Sequence, residues 1–339
     1  MQTIKSLQFS FVNYSLTPNK TNASKCCAGN DMKEIFCCES YIEFVNSMRI
    51  FVIVMFSIIF FVGLVGNSLV FLVLSLNKKM KSVNNVFILM LAIADLIFIS
   101  FCIPLEVVDL VSSSWPLGPA MCKVSGYVFD VAGYLTVYTL VLMTLGRYLA
   151  VVYPLRSLRF RTQRNAWRSV LLVWAVILIV NTPLLRYLDL YVNEANNKVC
   201  SIFKKQDIML LYPTLGYALP LTANLIMAYL TWRRLRMPAP GETSGAHHQQ
   251  NAKGKVSKMV VVMVTVFALC WFPLQVFAVT IYTKAFNVEN YKTFFVFYIC
   301  TRCFVYINSC VNPILYAFLC KSFRGAFLEL TNCFHFATT

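Results

Sequence analysis

The stretch between Lys123 and Arg147 constrains this chain more than any other, because its 23 residues hold a single charged side chain, Asp130. Wound as a helix at about 1.5 Å per residue, it reaches about 35 Å, enough to cross a hydrocarbon core of about 30 Å. Lipid offers no hydrogen bonds to a backbone, so a continuous apolar run of this length is read as a helix. Beyond Arg147 come Pro154 and a run of bases, Arg156, Arg159, Arg161, Arg164 and Arg168; before it stand Cys122 and the turn Trp115-Pro116-Leu117-Gly118. Basic loops stay on the cytoplasmic side, which puts Arg147 inside and Cys122 outside.

Comparable runs place crossings at about 50–76, 83–111, 122–152, 167–188, 207–235, 256–284 and 291–318. Seven crossings put the two chain ends on opposite faces, amino-terminus out and carboxy-terminus in. A chain that is 58% hydrophobic and 13% charged needs the bilayer as its solvent. The expected fold is an all-α membrane protein: a tail over 1–48, a seven-transmembrane-helix bundle over 49–319, and a short amphipathic helix with its tail over 320–339. The net charge of +16 gathers on the segments assigned to the inner face, including Lys78, Lys79, Lys81, Arg233, Arg234, Arg236, Lys253, Lys255 and Lys258. That asymmetry marks topology and a surface for anionic lipid or an acidic partner, and argues against a nucleic-acid stripe.

Residues 1–48 show no basic start followed by a short apolar core, so no cleavable signal is expected and the first crossing serves as the address. Asn13 and Asn22 open glycosylation sequons suited to an outer tail. Cys26, Cys27, Cys37 and Cys38 in that polar tail are expected to pair among themselves. After the last crossing, Phe323 and Phe327 stand at i and i+4 beside bases, a spacing for a helix lying in the headgroup layer. Cys333, and after it Cys320, are candidates for palmitoylation, with unmodified cysteine as the alternative.

Polar groups at mid-membrane are costly and ask for a reason. Asn67, Asp95, Thr136, Asn308 and Asn312 all fall near the middle of their crossings. Either they make separate interhelical hydrogen bonds, or they form one water-filled cluster in which Asp95 coordinates a sodium ion in one state and takes a proton or rearranges in another. Pro273 and Pro313 break helix ladders beside them and provide hinges.

Gly66-Asn67, Leu91-Ala92-Ile93-Ala94-Asp95, Arg147-Tyr148, Trp174, Cys270-Trp271-Phe272-Pro273 and Asn312-Pro313-Ile314-Leu315-Tyr316 follow one another in the order of the spans. This set resembles the signature of rhodopsin-like (class A) G-protein-coupled receptors over about residues 50–328. The longer strings around Trp115, Val137–Met143, Arg147–Pro154 and Asn308–Leu319 are similar to the galanin, allatostatin-A and kisspeptin receptor group. The resemblance implies a plasma-membrane receptor for an extracellular neuropeptide, with amidated peptides first among the candidates. It also implies a heterotrimeric G protein as inner partner, arrestin as a further one, and a Cys122–Cys200 disulfide roofing the pocket.

Within that family, amine receptors carry an aspartate seven residues after the third-span cysteine; here Phe129 stands there and Asp130 is one residue, about 100° of helix, away. Tyr306 occupies the place of the retinal lysine, which removes a photoreceptor. The outer ends offer Glu106, Asp109, Phe129, Asp130, Tyr134, Trp271, Gln275, Tyr282, Tyr298 and Arg302, a roomy, mixed surface suited to a peptide that needs no single anchoring charge. Glu106 and Arg302 are expected to pair across the second and seventh helices when the pocket is empty and to be replaced by peptide on binding, the alternative being that Arg302 snorkels.

Signalling is expected to shift Trp271 and Phe267, swing the sixth helix about Pro273 and open a crevice beside Arg147, Tyr148, Tyr229 and Tyr316. The chain departs from its family where Gly146 replaces the acid before Arg147 and Lys253 replaces an acid at the base of the sixth helix. Raised ligand-free signalling is the expectation; a glycine kept for close helix packing is the alternative. Tyr229 also lies nine residues after Pro220 where the family spaces it by eight. A non-signalling scavenger of the same fold is the rival reading. A transporter would show paired interrupted repeats, and an enzyme would need ligands or carboxylates around His247 and His248; neither pattern is found.

Overall fold

A computed structural model describes residues 32–77, 80–112, 114–192, 198–202, 213–236, 244–283, 291–320 and 323–329. Helix α1 (Met32–Leu76) is longer than its apolar part, Asn46–Leu76. No Gly or Pro interrupts residues 32–49, so the helix runs back into what reads as a polar tail and takes in Cys37 and Cys38. The side chains of those two cysteines, like Cys26, Cys27, Asn13, Asn22 and Cys333, lie outside the described residues.

Helix α2 (Val83–Val111) starts at Ser82, whose Oγ accepts from the Asn85 amide at 3.3 Å. Its ladder widens to a π-helical turn at Phe98–Cys102, just ahead of Pro104, which cannot donate to the carbonyl one turn back. Helix α3 (Gly118–Val152) begins at Gly118, whose φ of +77° is left-handed, with Pro119 following in the first turn. Thr162 caps α4 (Gln163–Asn181), and Pro183 ends it in a 3₁₀ turn. Strands β1 (Leu188–Val192) and β2 (Lys198–Ile202) then form an antiparallel hairpin with Leu190 opposite Cys200.

Helix α5 (Leu219–Arg236) follows a π turn at Thr214–Ala218, α6 is Ser244–Thr283 with Pro273 inside it, and α7 is Tyr291–Leu319 with Pro313 inside it. A short helix, α8 (323–329), ends the described chain. Its Phe323 is buried and meets the Tyr316 ring at 6.3 Å, so the i, i+4 phenylalanine pair docks on the bundle.

Among the described residues six helices, α1, α2, α3, α4 (with its 3₁₀ turn), α6 and α7, are long and apolar enough to cross a membrane, and α5 completes the seven-helix bundle. The boundaries differ from expectation in instructive places. Arg236, Lys253 and Lys255, which lie outside the expected crossings, belong to helices, because helix formers continue past the apolar run at the end of α5 and before that of α6. The third helix starts at Gly118 rather than 122, and the fourth ends at Asn181 rather than 188, at its proline.

Helices α2 and α3 form the centre, with 67% and 61% of their apolar windows buried, whereas α4 buries 11% and turns Leu172, Ile179 and Val180 outward. Close approach of α1, α2 and α7 depends on Gly63, where an added Cβ would lie 2.4 Å from Ile99 Cδ1 and 2.9 Å from Cys310 Sγ.

Candidate functional site

The interior carries three polar stations along the bundle axis. At the end marked by Cys122, a disulfide to Cys200 ties β2 to the top of α3. Trp115 N donates to the Lys198 carbonyl at 2.8 Å, and Leu188 fills the space left by Gly126. The hairpin is thus held to α3 from both strands.

Beneath it Glu106 on α2 meets Arg302 on α7. Arg302 Nε donates to Glu106 Oε1 at 2.7 Å and Nη2 donates to Oε2, a two-pronged pair that fixes both planes. Tyr298 Oη donates to Oε1 and Tyr306 Oη to Oε2, each at 3.2 Å, so the carboxylate accepts four bonds. The guanidinium lies 3.8 Å over the Phe129 ring and faces Tyr298 and Tyr306 at 5.9 and 5.8 Å. Arg302 therefore turns inward to Glu106; it does not snorkel.

Tyr306, which sequence reading used only to exclude a retinal linkage, is a structural member of this station. It is fully buried and stacks on Phe98 at 4.9 Å. Its spacing from Arg302 and Tyr298, at i+4 and i+8, put all three on one face of α7 and was the available signal.

The other expected pocket residues surround this pair without joining it. Asp109 and Asp130 lie within electrostatic reach of Arg302, yet neither makes a hydrogen bond or ion pair with a described residue. Tyr134 stacks on Tyr138 at 6.3 Å and faces Gly216. Trp271 stacks on Phe267 at 5.6 Å, and Phe267 on Tyr217 at 6.2 Å. Gln275, one turn beyond Trp271, is 6% exposed with both amide atoms unpaired. The Tyr282 side chain lies outside the described residues.

At mid-bundle, Asp95 accepts from Ser309 Oγ at 2.7 Å and from Asn312 Nδ2 at 2.8 Å. Asn67 Nδ2 bridges the Gly63 and Ser309 carbonyls at 2.9 and 3.0 Å, leaving its own Oδ1 buried without a partner. One cluster therefore links Asn67, Asp95 and Asn312 through Ser309, a residue that sequence reading quoted without placing here. Thr136 and Asn308 are buried but bond to none of these three. The acceptors are all oxygens, the donor set of a hard cation, so these residues fit a sodium ion.

At the Arg147 end, Arg147 Nε donates to Asn84 Oδ1 at 3.1 Å. Asn84 is the partner that sequence reading missed; a polar residue in the first turn of α2 reads as an ordinary end-of-helix residue. A Cβ at Gly146 would meet only Phe87 Cε2, at 3.6 Å, an ordinary contact, so close packing does not require this glycine. Tyr148 meets Tyr153 edge-on at 5.9 Å. Tyr316 is 1% exposed, turned onto Phe323, its hydroxyl unpaired. Tyr229 corrects an expectation: it is 56% exposed and packs on Trp232 at 6.0 Å, outside the crevice. One extra residue after Pro220 rotates it by about 100°, away from the interior.

A seven-helix membrane bundle with a tethered hairpin at one end, and an arginine at the opposite end of its third helix, has the organisation of a transmembrane receptor. The family described as "7 transmembrane receptor (rhodopsin family)" matches residues 66–316, and the chain belongs to that family. Among its relatives, the allatostatin-A receptor of Bombyx mori is 38% identical over 292 residues, covering 83% of this chain and 79% of the relative. Galanin receptor 2a of Danio rerio is 35% identical (82% and 77% covered), and galanin receptor type 1 of Rattus norvegicus is 34% identical (83% and 82%). Membership in a receptor family sets aside the enzyme and transporter readings.

Proposed function

We propose that this chain is a cell-surface receptor that binds an extracellular neuropeptide of the galanin or allatostatin-A kind and activates a heterotrimeric G protein. The observation that carries the reading is a cluster of acidic and aromatic side chains, Glu106 on α2, Phe129 on α3 and Tyr298 on α7, gathered around Arg302 at the end of the bundle where Cys122–Cys200 pins the hairpin, in a chain 38% identical to an allatostatin-A receptor. The basic residues of the Arg147 end orient that face to the cytoplasm and the hairpin to the outside.

Peptide entering beside Phe129 and Arg302 presses on the stack Trp271–Phe267–Tyr217, two rings of which stand on α6 just before Pro273. The inner half of α6 then swings out, Arg147 leaves Asn84, and the G protein's terminal helix fills the opened crevice. Ligand and partner together must favour that open form by about 5.5 kcal/mol to move it from 1:99 to 99:1. Asp95, Ser309 and Asn67 are the residues that would hold a sodium ion, whose charge would offset that of Asp95 in the closed form, and Arg147, lacking an acid at Gly146, gives raised ligand-free signalling.

Nucleotide exchange on purified G proteins tests this reading. Exchange stimulated by amidated allatostatin-A-type or galanin-type peptides is expected; specific peptide binding without exchange would support the scavenger, a reading that Gly146 favours.

A further inference from the structure

Counting charges within the outer chamber leaves an imbalance that the Glu106–Arg302 pair hides. Glu106 accepts four bonds and is saturated, and Arg302 spends its guanidinium on Glu106 and the surrounding rings. Of the other described bases toward this end, Lys123 faces Asp189 at 3.7 Å, and Arg49 donates from Nη2 to the Val111 carbonyl at 3.5 Å, its Nε buried without a partner; neither makes an ion pair with Asp109 or Asp130. Asp109 on α2 and Asp130 on α3 flank the pair, half-buried, with no hydrogen bond or ion pair to any described residue. An ionisable group within a membrane span that lacks a partner asks for one from outside the chain.

A second, independent observation comes from the interior face of α6. Gln275 lies on the Trp271 face of α6, the face turned to the bundle interior, since Trp271, Leu274 and Gln275 are buried while Phe272 faces out. Both ends of its amide are buried and unpaired. A buried amide with neither donor nor acceptor satisfied is unusual in a finished core, and its natural complement is a ligand amide, which offers one of each.

Together these assign the chemistry of the ligand. We infer that the receptor takes a peptide bearing a positively charged group, an α-amine or a basic side chain, seated between Asp130 and Asp109 with Asp130 as its principal partner, while a neighbouring peptide amide pairs with Gln275. This rests on the peptide-receptor reading and sharpens it. The Glu106–Arg302 pair, expected to be the contact that peptide replaces, instead stays intact as the floor on which the cation is received.

The test compares twins. Amidated galanin-type and allatostatin-A-type peptides are each assayed beside a neutral twin, α-amine acetylated and Arg or Lys replaced by citrulline, on wild type, Asp130→Asn and Asp109→Asn. The wild type should prefer the charged twin by about 30-fold or more in half-maximal concentration, the scale of a desolvated charge pair. Asp130→Asn should bring the twins together and Asp109→Asn should narrow the gap. This ratio is insensitive to expression level. Equal potency of the twins on wild type, or an undiminished preference in Asp130→Asn, would overturn the inference.

If no peptide of either type acts, the peptide assignment has failed, and the acid pair is tested by itself with arginine amide against citrulline amide. Thermal stabilisation of purified wild type by arginine amide alone, absent in Asp130→Asn, supports the cation site. Equal shifts with the two amides, or none with either, overturn it.

Discussion

At the disulfide end Arg302 gives donors to both oxygens of one carboxylate and rests against three aromatic rings, whereas at the opposite end Arg147 reaches a single neutral amide oxygen, that of Asn84. Both are arginines turned into the bundle, but one is locked and the other lightly latched. The difference follows from partners. A carboxylate with two tyrosine hydroxyls compensates a desolvated guanidinium, while an asparagine supplies one uncharged acceptor. A receptor needs that asymmetry: a firm floor where ligand is received and a releasable contact where the partner must enter.

The comparison breaks most readily at the locked end. Glu106→Ala strands Arg302 in the interior and is expected to cost about 3–5 kcal/mol of stability, read as a lower melting temperature of purified receptor. The charge swap Glu106→Arg with Arg302→Glu should recover part of that loss; no recovery would mean that the rings, not the pair, hold the station.

Two glycines, Gly63 at mid-bundle and Gly146 beside the latch, should then respond oppositely. Gly63→Ala forces a Cβ against Ile99 and is expected to destabilise by about 1–3 kcal/mol, while Gly146→Ala meets only ordinary contact with Phe87 and should stabilise α3 by about 1 kcal/mol. Thermal melts of the two variants side by side decide it.

The latch is sharpened by changing only Asn84. Asn84→Ala removes the one acceptor and should raise ligand-free nucleotide exchange roughly tenfold, on the scale of a hydrogen bond to a charged group of about 1.5 kcal/mol. Asn84→Asp keeps the shape, adds charge and should lower exchange below wild type. Opposite signs from one position separate a latch from general loss of structure. Gly146→Asp, which supplies the missing acid from the neighbouring residue, should quieten basal exchange by a smaller margin; equal basal activity in wild type would leave the glycine without a role in it.

Much of this plan was legible beforehand because it rests on one-dimensional signals. Apolar length set the seven crossings, and the bases after Arg147 set the expected sidedness. The resemblance to a receptor family, rather than any spacing alone, brought Glu106 and Arg302 together. What escaped depends on side-chain direction between helices. Asn84 meets Arg147 across 63 positions, Tyr306 reaches Glu106 across 200, and Ser309 reaches Asp95 across 214. No local pattern distinguishes such hydroxyls and amides from ordinary interhelical polar groups. The inner end of α6 escaped for another reason: loss of hydrophobicity marks the edge of lipid, not the end of a helix, so Lys253 and Lys255 fell outside the expected crossing while the backbone stayed wound.

The account holds that occupation of the disulfide end is felt at the arginine end. The direct measurement is the distance between spin labels on Lys258→Cys in α6 and Ser75→Cys in α1, in receptor freed of its reactive native thiols, with and without bound peptide. Widening by several ångströms when peptide occupies the outer chamber is the predicted result. An unchanged distance at saturating peptide would contradict it.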